Sequence, residues 1–121
     1  MFGEISKWLD RALNHGVPDE VDAFCFNLYE DGDNKWSIEI IGTNRFSVDD
    51  EDWACDEVTS FGTRKNCYTW EESKNWNEIL SEITSLLKDY LESGKYSKIL
   101  KEKSGIGVGF VDGNIEIIYQ K

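Results

Sequence analysis

Apolar residues recur at two periods along this chain, and the switches between them mark out its elements. Phe2, Ile5, Trp8, Leu9, Ala12 and Leu13 fall at helical spacing and predict an amphipathic helix over residues 2–15. Gly16 is placed to end it, and Pro18, the only proline, keeps it from resuming. From Val21 the period becomes two. Phe24, Phe26 and Leu28 point one way, and Ala23, Cys25, Asn27 and Tyr29 the other. After the turn residues Asp31-Gly32-Asp33-Asn34, Trp36, Ile38 and Ile40 alternate again. Residues 21–42 therefore predict a β-hairpin with two apolar triplets facing one core. Arg45–Val48 predicts a short third strand with Phe46 and Val48 inward, and Glu57–Arg64 a further strand containing Val58.

Thr69-Trp70-Glu71-Glu72 has the form of a capping box, which predicts a helix start. Trp76, Ile79, Leu80, Ile83, Leu86, Leu87, Tyr90 and Leu91 then form one apolar stripe, up to Gly94. Tyr96, Ile99 and Leu100 predict a short extra helix. The chain finishes with Ile106–Val111, the turn Asp112-Gly113-Asn114 and Ile115–Tyr119, a second hairpin. Gly107 and Gly109 leave one face of its first strand bare, so a helix or another backbone can pack close there. The order predicts a single α+β domain. Its antiparallel β-sheet, made from two hairpins plus a short strand, packs against an N-terminal helix and a long central helix.

Charge changes the picture. Of 121 residues 24 are acidic and 13 basic, a net of −11. Residues 1–60 hold 15 acids and 4 bases, whereas residues 61–121 hold 9 of each. The whole excess lies in the first half. Nucleic acid and anionic membrane surfaces both need clustered Lys and Arg, so neither is a natural partner. No stretch approaches the roughly 20 apolar residues of a membrane span. Cys25, Cys55 and Cys67 form no Cys-x-x-Cys pair and are expected as reduced thiols in a cytoplasmic protein.

Catalytic chemistry finds little support. The one histidine, His15, sits at a predicted helix end with no nucleophile nearby in sequence. Cys55 lies among carboxylates rather than beside a base. Three scattered cysteines and one histidine give no zinc spacing, and neither Asp31–Asn34 nor Asp49–Asp52 has the spacing of a calcium loop. The glycines at 105, 107, 109 and 113 lead into a strand, not a helix, so they form no phosphate cradle. No cofactor, metal site or catalytic residue is expected.

The stretch Asp49–Glu57 is the distinctive one. Six of its nine residues are carboxylates, Asp49, Asp50, Glu51, Asp52, Asp56 and Glu57, and Trp53 stands among them. So many like charges cannot enter a core. Trp53 either anchors the loop inward or centres a docking patch rimmed by acids. Trp70, in the first predicted turn and off the apolar stripe, is a further contact candidate. The complement of such a surface is a cationic protein.

The segments Asp52–Glu57, Trp36–Gly42 and Gly107–Gly113 resemble a group of small bacterial proteins, the immunity proteins of polymorphic-toxin and contact-dependent growth inhibition systems. The resemblance spans the chain from the first strand to the end. It implies a non-enzymatic inhibitor that binds a cognate toxin domain, often a nuclease, and blocks its active site or substrate channel. It carries over no residue role and no oligomeric state. The alternatives are a general acidic interaction or regulatory module, or a calcium-binding domain built on Asp49–Asp52.

Overall fold

Residues 1–121 are described in a computed structural model. The first strand, β1 (Ala23–Gly32), is the centre of the molecule. It pairs antiparallel with β2 (Lys35–Thr43) on one side and parallel with β5 (Gly105–Phe110) on the other. β3 (Glu57–Gly62) and β4 (Tyr68–Glu71) share the outer edge of β2, and β6 (Glu116–Gln120) closes the far edge beside β5. The sheet is thus mixed and six-stranded. The α+β architecture agrees with the sequence pattern, but the wholly antiparallel sheet does not. Each hairpin is antiparallel within itself, as its short turn dictates. The relation between hairpins is set by the long excursion through the helices, which delivers β5 alongside β1.

Turn chemistry fixes the first hairpin. Asp33 and Asn34 both have positive φ, 55° and 62°, and link β1 to β2 as a two-residue primed turn. The resulting register sets Phe26 opposite Ile40 and Leu28 opposite Ile38. These residues, with Phe24, Ile106 and Val108, form the face that takes the helices. Helix α1 (Phe2–Leu13) contributes Ile5, Trp8, Leu9 and Leu13, all buried. Helix α2 (Trp76–Ser93) contributes Ile79, Ile83, Leu87, Tyr90 and Leu91, and the short α3 (Ser97–Lys101) adds Leu100. The Tyr90 hydroxyl donates to Asp10 at 2.7 Å, which ties α2 to α1.

Two elements depart from the sequence reading. The segment expected to open the central helix is strand β4, with Trp70 opposite Trp36. The helix begins six residues later, where the Asn75 side chain accepts from the Glu78 N–H and Glu78 reaches back to the Asn75 N–H. Both segments satisfy the capping-box pattern. Pairing to β2 stabilises the first as a strand, because Tyr68 and Trp70 pack on the main core there. The expected strand at Arg45–Val48 is irregular chain: Phe46 does turn inward, but Val48 is exposed. No helix is long and apolar enough to cross a membrane.

Asn75→Ala should lower stability to urea by about 1 kcal/mol, the usual value of an N-cap. Thr69→Ala, on the exposed side of β4, should change it by less than about 0.5 kcal/mol. Equal losses for both would restore the earlier helix start.

A carboxylate strap across the second sheet face

The helices cover one face of the sheet, and the other face is apolar at one end as well. Ala23 and Cys25 from β1 and Ile41 from β2 are buried there. Beside them β5 presents only glycine: Gly105, Gly107 and Gly109. A trough of this kind must be filled, since an empty one loses dispersion contacts along its walls.

The chain between β2 and β3 fills it over Gly105 and Gly107, where Ile115 joins it, and the β5–β6 turn at Asn114 and Ile115 covers Gly109. Phe46 lies over Gly105, where an added Cβ would stand 2.2 Å from its ring. The Trp53 indole lies over Gly107, 3.0 Å from such a Cβ, and the two rings meet edge-to-face at 5.1 Å. Trp53 is fully buried. It is the anchor of the strap and not an exposed partner residue, because the glycine trough offers the indole more apolar contact than solvent does. Its place is fixed by a single 3₁₀ turn, Glu51–Cys55, which the Asp50 carboxylate caps by accepting from the Asp52 N–H at 3.0 Å.

With Trp53 inward, the acids divide. Asp49, Asp50, Glu51 and Asp52 are exposed, and Asp56 and Glu57 half-buried. Arg45 pairs with Asp56 and lies 3.7 Å from Asp50. Glu51 accepts from the Ile115 N–H at 3.1 Å, which fastens the strap to the β5–β6 turn. Glu57 holds the Arg64 guanidinium at 2.7 Å. Asp49 and Asp52 make no hydrogen bond or ion pair through their carboxylates and face solvent alone. No three acidic, histidine or cysteine side chains converge as a metal-holding group. Trp70 stands apart from the strap, on β4. It is half-buried, stacks on Tyr68 at 5.7 Å, and donates its indole N–H to Glu72 at 3.1 Å. Four strap carboxylates are thus structural as well as charged, and Trp53 and Trp70 are both held by the fold.

Beyond the strap the same sheet face turns polar, around a residue the strand pattern concealed. Glu39 is 1% exposed. One carboxylate oxygen accepts from Asn27 at 3.1 Å and from the Tyr29 hydroxyl. The other has no hydrogen bond, although Arg64 Nε lies 3.6 Å away. Burial and the Glu39 bond raise the Tyr29 hydroxyl pKa. Burial, with Glu39 next, pushes the Cys25 thiol up to about 12. Cys25 is therefore an inert wall of the trough. Glu39 occupies the phase of Ala23, Cys25 and Ile41, and that alternation was the only signal for it. His15 is exposed just beyond the end of α1, with no cysteine among the residues lining its surface hollow.

Trp53→Ala should cost about 3–5 kcal/mol, the range for emptying a large aromatic site, while Asp52→Ala should stay within about 0.5 kcal/mol. Urea denaturation with tryptophan emission separates them; a neutral Trp53→Ala would place the indole outside the trough. A thiol reagent should label Cys55 first, Cys67 more slowly, and Cys25 only on unfolding. Cys25 holds its proton more tightly folded than unfolded, where its value is near 9. Its contribution is therefore whole below pH 9 and is lost between pH 9 and 12. Cys25→Ala should flatten that part of the stability–pH curve. No protein-family model, curated protein or solved structure matches this chain, so its geometry and charge alone carry a functional reading.

Proposed function

We propose that this chain is a non-enzymatic immunity protein that binds a cognate, cationic toxin domain and neutralises it by occlusion. The observation that supports the reading best is the strap. It holds Asp49 and Asp52 outward with no internal partner, within the half of the chain that carries the entire net charge of −11. A nuclease toxin must attract phosphate and so tends to be basic, and an anionic surface can occupy the groove meant for its substrate. The strap is also rigidly mounted, which lowers the ordering cost of binding. The proposed place of action is the cytoplasm, where such a toxin would meet its target.

Long-range attraction raises the association rate more than the final affinity. The test is stopped-flow mixing with the purified protein encoded by the adjacent gene, across a salt series. Asp49→Lys/Asp52→Lys changes charge at two positions without touching the cap at Asp50 or the tie at Glu51. Association at low salt should slow about tenfold or more and the difference should shrink as salt rises. An unchanged rate would remove the strap from the encounter. Survival of cells expressing the toxin domain, with the toxin's own activity assayed in vitro at stoichiometric inhibitor, separates occlusion from a general interaction module.

A further inference from the structure

The apolar stripe of α2 runs past the end of the sheet. Ile79 and Ile83 are buried, but Trp76, one turn earlier on the same stripe, is 53% exposed. It overhangs the place where β1 and β5 finish. Its ring stands edge-to-face on Phe110 at 6.2 Å, and Phe110 meets the buried Trp36 in the same way at 6.0 Å. Trp36 is itself fixed by its indole N–H, which donates to the Glu72 carbonyl at 2.9 Å. An aromatic row thus leads from the core to an open indole. Val111, in the β5–β6 turn, is 56% exposed beside it. Between them lies a notch of about 540 Å³.

The walls of this notch are apolar and its rim is acidic. Glu30 and Asp31 from the end of β1 and Asp112 from the turn line it, and no basic residue does. Asp31 is engaged by the Ser37 hydroxyl. Glu30 and Asp112 have no hydrogen bond or ion pair through their carboxylates. The turn that supplies Val111 and Asp112 is the one Glu51 fastens to the strap, so both acidic features share one support.

We propose that this notch is a docking pocket for an arginine side chain of a cationic polypeptide partner. The inference rests on the proposed function, in which the partner is basic, and adds where its anchor goes. Arginine fits each wall. Its guanidinium is planar and weakly hydrated, stacks on an indole face, and pairs with carboxylates in a fixed fork. Its aliphatic stem can lie along Val111 and Phe110. Lysine offers only a compact, strongly hydrated charge. An anionic lipid surface or nucleic acid would meet three carboxylates at the mouth. A second copy of this chain would bring the same net charge of −11.

The test uses the ¹⁵N-labelled full chain and a short peptide of alternating arginine and glycine, with the citrulline peptide as its neutral isostere. The arginine peptide should shift the Trp76 indole N–H and the Val111 and Asp112 amides; the citrulline peptide should not. Trp76→Ala should weaken binding about fivefold or more. Glu30→Gln/Asp112→Asn should do the same while keeping the indole, which guards against a folding artefact. Shifts confined to Asp49–Asp52, undiminished by Trp76→Ala, would overturn the notch and leave the acidic strap standing. No shift anywhere at millimolar peptide would overturn both. A Trp76 shift that follows protein concentration without peptide would assign the notch to self-association and overturn the proposal.

Discussion

The Trp53 indole seated over Gly107 is the contact on which the second half of this architecture depends. A sheet with helices on one face normally leaves its other face polar and wet. Here β1 is apolar on both faces, since Phe24, Phe26 and Leu28 point to the helices and Ala23 and Cys25 away from them. The outward side must be covered by something, and no helix is available. Glycine on β5 solves this by removing side chains, so that the Trp53 ring, its neighbour Phe46 and the Ile115 end of the β5–β6 turn can cover three strands. The helices hold the main core together. The indole decides which way the β2–β3 connection runs and therefore which way its carboxylates point.

That arrangement explains why so acidic a segment is tolerable. Six carboxylates within nine residues repel one another and would favour an expanded loop. Two effects offset this. Arg45 and Arg64 neutralise part of the charge from the flanks. Asp50 and Glu51 commit their oxygens to backbone N–H groups. Solvent-exposed ion pairs of this kind each contribute little, because water and salt screen them. Burial of Trp53 outweighs them, so it governs whether the strap closes, and the ion pairs refine its path.

Local physics was legible in the sequence where a residue's neighbours in the chain are also its neighbours in space. The first hairpin follows from period-two alternation and from Asp33-Asn34, whose positive φ values the turn requires. The stripe of α2 is equally local. Non-local choices were not legible. The parallel pairing of β1 with β5 depends on a long excursion through both outer strands and two helices, and alternation within a strand is silent about its neighbour's direction. Thr69–Glu72 and Asn75–Glu78 are both competent caps. The choice between them falls to β2, whose free edge takes up Tyr68–Glu71 as a strand. The acidic strap was visible as composition, but the direction of Trp53 was not, because the bare face on β5 that decides it lies far along the chain at Gly105 and Gly107. Glu39 hid for the same reason. Its phase placed it on the second face, and only the assembled sheet makes that face a buried one.

Charge and anchoring are therefore separable in this molecule. A field falls off over a Debye length, roughly 8–10 Å at physiological salt, so carboxylates clustered within that distance act together and distant ones do not. Asp50 and Glu51, bonded to backbone N–H groups, still contribute to it, whereas Arg45 and Arg64 cancel much of what Asp56 and Glu57 would add. Tight contact is different, because it requires groups that can change partners and apolar surface that loses water on docking. The strap has buried its aromatic ring and offers little of the latter. Trp76 and Val111 retain it, where the first turn of α2 overhangs the end of the sheet. A partner drawn in by the acidic half would gain its rate of arrival from the strap's side of the surface. Its lifetime in the complex would come from the half-bare aromatic row at the other end.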